Sequence, residues 1–256
     1  MTGDFAPLVD VLGRYQDTGQ IATLWWRDDD AAAPSPALDC LLALSARHDV
    51  PLALAVVPVK AEDGLGKALE SAPAVAVLQH GYAHQNYAAT GEKKIELGPQ
   101  RPAQVIVGEL ATGSLRLEAL FGRRALPVLV PPWNRLAPFL LPVLPELGYR
   151  GLSQFGPRAR VTPVQQLRQV NCHVDPIDWR AGTGFIGPQK AVAALVAHLA
   201  LRLQAGDGAA GSEPTGLMTH HAVHDEAMRR FLDGLLSLTR GHKAVRWLAA
   251  REVFGL

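Results

Sequence analysis

The sequence predicts an α/β protein, an incomplete (β/α) barrel of about seven parallel strands, and three observations predict it. Short, nearly continuous apolar runs recur along the whole chain. Longer segments with helical spacing separate them. Polar residues cluster directly behind the apolar runs. Parallel strands covered by helices are buried on both faces and read as continuous apolar runs. The 256 residues fit a single barrel, and no composition shift marks an interior boundary. One domain over 1–256 is the expectation.

The elements follow in order. IATLWW, residues 21–26, reads as the first strand. Ser35 and Pro36 then have the form of an N-cap followed by proline at the first helical position. Leu38, Leu41, Leu42 and Ser45 continue that helix at helical spacing to His48. PLALAVVP and AVAVLQ, residues 51–58 and 74–79, are the next strands. A long helix over 104–121 closes at Gly122. PVLVPP, RGLSQF, RQVNCHV and TGLMTH are further strands, with helices over 188–204 and 224–240 and a last strand at AVRWL. GDGAAGSEP, residues 206–214, is expected to be a flexible surface loop.

Composition excludes some classes of function. The formal charge is +1, so no strong field marks a nucleic-acid or membrane partner. No apolar run approaches the roughly 18 residues of a membrane span. The start lacks the basic-then-apolar pattern of a signal peptide, and the expectation is a cytoplasmic protein. Cys40 and Cys172 form no CxxC pair and are too few for a disulfide framework. Nothing in the sequence sets an oligomeric state.

Chemistry gathers at the strand ends. The first strand runs into Arg27, Asp28, Asp29 and Asp30. AVAVLQ runs into His80 and His84, PVLV into Trp133, Asn134 and Arg135, RQVNCHV into Asp175, Asp178 and Trp179, and TGLMT into His220 and His221. In a parallel barrel every strand C-terminus points to one face, so these five clusters should converge. Three adjacent carboxylates at the rim of a buried sheet repel one another and need a cation or hydrogen-bond donors. His80 and His84, four apart, share one face if their turn is helical, and imidazole is a common ligand of divalent metals. Two imidazoles and a carboxylate leave coordination positions free, as catalytic metal sites do. His220 and His224 repeat the spacing and are an alternative pair. A single histidine at a strand end can also serve as a general acid.

Taken in order, WRDDD, HGYAH, VPPWNR, DPIDW and Met218-Thr219-His220 resemble the five motifs of the polysaccharide deacetylase family, the NodB-homology or carbohydrate esterase family 4 group. The resemblance spans about residues 21–225 and implies a distorted (β/α) barrel. It implies a metal-dependent deacetylase that hydrolyses the amide C–N bond of an N-acetylated sugar with a metal-activated water. Carried over residue by residue, it makes Asp28 the catalytic base and Asp29 a metal ligand, with a register shifted by one, Asp29 and Asp30, as the alternative. His80 and His84 complete the metal set and His220 is the general acid. Asp175, Asp178 and Trp179 support the base or acid, and Trp133 and Arg135 line the pocket. One divalent metal is implied, zinc foremost, with iron or cobalt accepted by the same ligands.

Two positions depart from the family pattern. Val130 stands where motif three carries an arginine, and Arg135 or Arg27 could supply that charge. Gly81 replaces a hydroxyl residue in the histidine motif. Two other readings stand beside the deacetylase: a metal-dependent amidase acting on a small non-sugar amide, and a non-catalytic carbohydrate-binding barrel. The partner in each case is a small molecule or oligosaccharide. GEKKIELG, residues 91–98, is either a solvated charged loop or a lid or partner surface.

Overall fold

A computed structural model describes residues 5–180, 182–206, 208 and 211–256. Helix α1 (Ala6–Asp17) buries Leu8, Val11, Leu12 and Tyr15, which recur at helical spacing on one face. Strand β1 (Ala22–Ala31) follows and carries all three aspartates. Helix α2 (Pro36–His48) begins as the sequence predicts, with the Ser35 hydroxyl accepting the Leu38 N–H at 3.1 Å. Then come β2 (Leu52–Val56), α3 (Asp63–Glu70), β3 (Val75–His80), α4 (Ala103–Phe121) and β4 (Ala125–Val130). Short strands β5 (Gly151–Leu152), β6 (Arg168–Gln169), β7 (Ile177–Asp178) and β8 (Gly184–Phe185) precede α5 (Pro188–Ala205). The chain ends with β9 (Thr215–Thr219), α6 (Glu226–Arg240), β10 (Val245–Trp247) and α7 (Ala250–Phe254).

One sheet runs β10-β1-β2-β3-β4-β5-β6, with β9 also paired to β1, and every pairing in it is parallel. The return from β6 to β9 is an isolated bridge, Val174 to Leu217, rather than a ladder. The expected distorted, incomplete (β/α) barrel is therefore what the chain forms. Strand alternation sorts its side chains into two layers. Trp25, Ala53, Ala55, Leu78, Val128 and Met218 fill the interior. Leu24, Trp26, Leu54, Val77 and Leu217 pack outward with Leu41, Leu195 and Leu232 from the helices. Trp25 and Trp26 are each 1% exposed, so β1 is buried on both faces. Each contributes on the order of 3–5 kcal/mol, the usual cost of truncating a buried aromatic to alanine.

Several elements differ from expectation. β1 does not stop at Trp26, because its ladders with β2 and β9 continue through the acidic run. RGLSQF and RQVNCHV form only short ladders. Side chains take the backbone partners there: Asn171 Oδ1 accepts the Gln154 N–H at 2.9 Å and Asn171 Nδ2 donates to the Gly156 carbonyl at 2.7 Å. The helix expected from His224 begins at Glu226, because Asp225 caps it by accepting the Met228 N–H at 2.7 Å. In the stretch 206–214, residues 207, 209 and 210 lie outside the described residues. Its end is not surface loop, since Glu213 is 1% exposed. Nor is 91–98 simply solvated, since Glu96 and Leu97 are fully buried. Helices α1, α3 and α7 were not anticipated. Among the described residues no helix is long and apolar enough to cross a membrane.

Candidate metal centre

All five clusters contribute side chains to one cleft of about 890 Å³. Asp29, Asp30, His80, His84, Trp133, Arg135, Asp175, Trp179 and His220 all face it. Asp28 and Asp178 are not among its lining residues. The convergence expected of strand C-termini is thus present.

Alternation separates the three aspartates. Arg27 and Asp29 share the interior face with Trp25, whereas Asp28 shares the outer face with Leu24 and Trp26. Asp28 therefore turns away from the cleft. Its carboxylate accepts the Thr219 hydroxyl at 2.6 Å and pairs with His221 Nδ1. Burial disfavours a charged His221, but the hydrogen bond and charge of Asp28 outweigh it and raise that imidazole's pKa. Asp30 would follow Asp28 outward, yet a register shift between Asp28 and Ala31 and a φ of +71° swing it into the cleft. So Asp30, rather than Asp29, meets the histidines.

The meeting point is well defined. Asp30 Oδ1 lies 3.1 Å from His80 Nε2 and 3.1 Å from His84 Nε2. His80 Nδ1 donates to the Val130 carbonyl at 2.9 Å, which leaves the Nε2 lone pair pointing inward. Asp30 Oδ1 is buried and has no hydrogen-bond partner among the described residues. A carboxylate oxygen and two ring nitrogens thus converge on one point, where burial would lower the His80 pKa but the close approach and charge of Asp30, with Asp29, raise it. That donor set fits a divalent cation. Burial alone would raise the Asp30 pKa, but His80, His84 and His220 reverse it and hold the carboxyl ionised. Burial pushes His84 down and its neighbours do not fully compensate. His220 and His224, the alternative pair, form no such cluster among the described residues.

Around this point the other groups take distinct places. Arg27, fully buried, grips Asp29 with two parallel bonds, Nε to Oδ1 at 2.8 Å and Nη2 to Oδ2 at 3.0 Å. Its remaining donors reach Ser153 Oγ at 2.7 Å and Asn134 Oδ1 at 2.8 Å. Arg27 thus places its charge beside Asp29, whereas Arg135 holds the Lys94 carbonyl at 2.7 Å. Trp133, at a φ of +55°, sets its ring 4.4 Å from that of His84. His220 packs edge-on to Trp179 at 4.6 Å, and its Nδ1 is buried with no hydrogen-bond partner among the described residues. Asp175 accepts the Trp179 indole N–H at 2.7 Å, and burial raises its pKa despite that bond. Asp178 accepts the Arg180 N–H at 3.0 Å.

Comparison with solved structures places this architecture. A Mycobacterium smegmatis protein described as a polysaccharide deacetylase superposes with a TM-score of 0.67 at 14% identity, over 92% of this chain and 90% of that one. The fold is that of the polysaccharide deacetylases. The Bc1960 peptidoglycan N-acetylglucosamine deacetylase has a TM-score of 0.58 at 15% identity, over 92% of this chain and 89% of that one. A family 4 acetyl xylan esterase from Clostridium thermocellum, solved with a cobalt ion, has a TM-score of 0.54 at 14% identity, over 91% and 90% of the two chains. No family model and no curated protein matches the sequence. At such identities the likeness to the deacetylase fold is a likeness of architecture.

Phe155, which lines the cleft, and Ser153 and Glu96, which hold its residues, escaped sequence reasoning. Ser153 and Glu96 both sit in stretches with no motif, and only their contacts reveal them. Gly81 is explained by one of those contacts. A Cβ there would stand 2.0 Å from Glu96 Oε2 and 2.6 Å from Pro132 Cδ, so a hydroxyl residue has no room.

Proposed function

We propose that the protein is a metal-dependent deacetylase that hydrolyses the amide C–N bond of an N-acetylated sugar or related carbohydrate. The observation that carries this reading is the convergence of Asp30 Oδ1, His80 Nε2 and His84 Nε2 in a cleft that also holds Asp29 and His220. Asp30, His80 and His84 would hold a divalent metal, zinc foremost. When bound, that metal supplies Lewis acidity toward the carbonyl and lowers the pKa of water.

The remaining steps belong to the protein. Asp29 accepts the proton of the attacking water, and Arg27 keeps its carboxylate oriented through the two parallel bonds. His220 delivers a proton to the departing nitrogen as the C–N bond breaks, leaving acetate and an amine. Trp179 holds the His220 ring on its edge and is itself fixed by Asp175. Trp133, Phe155 and Trp179 give the cleft flat apolar walls. Its volume of about 890 Å³ exceeds what a lone small amide fills, which favours the sugar reading over the small-amide one.

The test is metal content followed by an acetate-release screen of N-acetylated sugars and small amides. The reading expects about one zinc per chain and acetate from sugars. Release of acetate or ammonia from small amides alone would replace it with the amidase. A protein that takes up no metal and releases neither product would leave a binding barrel.

A further inference from the structure

We infer that Glu96 is the positioning residue for the histidine turn, and that Gly81 is glycine to admit its carboxylate. The inference rests on the reading of Asp30, His80 and His84 as metal ligands. Glu96 is fully buried. Its Oε2 accepts the Tyr82 N–H at 3.1 Å and its Oε1 the Ala83 N–H at 2.7 Å, with the Gln85 N–H at 3.5 Å. These N–H groups belong to the turn that carries the chain from His80 to His84. The charge of Glu96 is met by peptide N–H groups, with no ion pair of its own among the described residues. A buried carboxylate is costly unless such donors satisfy it, so its place is specific.

The two histidines differ in what else holds them. His80 closes β3 and is tied to Val130 through Nδ1. The start of the turn is also secured, by the Gly81 N–H on the Val130 carbonyl at 3.1 Å and by Gln79 Nε2 on the Gly81 carbonyl at 3.0 Å. His84 lies beyond those ties at a φ of +54°, a backbone that persists only where its surroundings over-determine it. Glu96 supplies that constraint from across the turn. Without it, His84 is free to leave Asp30 while His80 stays. Gly81 has a φ of +55°, and its missing side chain is the space that Glu96 Oε2 and Pro132 occupy.

The experiment is a competition titration of zinc against a chromophoric chelator, on the parent chain, Glu96→Ala and Glu96→Gln. Amide exchange of Tyr82 and Ala83 is followed in the same proteins without metal. Glu96→Ala should weaken zinc binding about 10–100-fold, the usual effect of losing a group that orients ligands. It should also accelerate exchange at both amides at temperatures where the variant is folded. Glu96→Gln keeps one carbonyl acceptor and should fall between, and it carries the test if the alanine variant does not fold. A loss of thermal stability with unchanged zinc affinity and unchanged exchange would overturn the role of Glu96 alone. A parent chain that binds no zinc would overturn the metal reading and this inference together.

Discussion

Among the described residues two clusters join two histidines and a carboxylate, and their surroundings differ. Asp30, His80 and His84 lie at the C-terminal ends of β1 and β3 and face the cleft. His173, His198 and Glu213 gather near the start of β9, against α5. In the first cluster His80 donates from Nδ1 and turns a lone pair inward. In the second, His173 Nδ1 accepts the Gly216 N–H at 3.0 Å, so a neutral ring carries its proton on Nε2, 3.3 Å from Glu213 Oε2. Glu213 is already satisfied by the Asn171 N–H at 2.8 Å and the Arg158 N–H at 3.1 Å. The His198 ring stacks on His173 at 3.5 Å, and its Nδ1 meets Thr215 Oγ1 at 3.0 Å. Residue type and proximity are the same in both places. What differs is how the Nδ1 partners of His80 and His173 turn the rings, and whether substrate can reach the centre. The second cluster is a buried polar network that ties α5 and β9 to the segment after β6.

The sharpest break of this comparison is metal binding itself. His80→Ala and His84→Ala should each abolish stoichiometric zinc and with it turnover, whereas His173→Ala and His198→Ala should keep zinc and lose thermal stability. Metal analysis of the four purified variants checks this, and zinc lost from the His173 variant would reverse the assignment. A smaller effect separates the neighbouring carboxylates. Asp29→Asn should keep zinc and lower kcat about 10²–10⁴-fold, the range expected for a general base. Asp28→Asn should keep most turnover and lose about 1–3 kcal/mol of stability, because the amide keeps one acceptor oxygen where the carboxylate served both His221 and Thr219. Paired kinetics and urea melts distinguish the two, and equal kinetic losses would return Asp28 to the reaction.

The smallest effect is a pH slope. Burial, helped by the charges of His173 and Arg202, lowers the His198 pKa from 6.5 to about 3. The unfolded chain therefore binds a proton that the folded chain refuses between those values. The stability from a neutral His198 is complete above pH 6.5 and falls as the pH drops toward 3. His198→Asn should flatten that fall in metal-free protein, though not remove it, because burial also lowers His224 to about 4. Melts across this range check it, and an unaltered slope would show that His198 is not buried neutral.

Much of the fold was legible because apolar runs and helical spacing are local properties. Ser35 and Pro36 announced α2, and Gly122 announced the end of α4. Helix α1 carried the same signal at Leu8, Val11, Leu12 and Tyr15, so it was readable too. Helix α3 was harder, since Gly64 and Gly66 interrupt only eight residues. The order of the polar clusters likewise points to a common cleft, since strand C-termini of a parallel barrel share one face.

The sequence by itself determined the alternation of strands and helices, the clustering of His80, His84, Asp175 and His220 behind strands, and the presence of carboxylates at the end of β1. Only the tertiary structure decided which aspartate meets the imidazoles. β1 is buried on both faces, so Leu24, Trp25 and Trp26 give no parity to read, and the bulge that redirects Asp30 depends on its pairing with β2. Tertiary structure also decided that Arg27 grips Asp29, that Glu213 is core rather than loop, and that Glu96 holds the histidine turn. Glu213 and Glu96 meet partners from segments distant in the chain, and the Arg27–Asp29 pair, two residues apart, forms only because β1 runs on through the acidic stretch, so a local pattern carries no record of them.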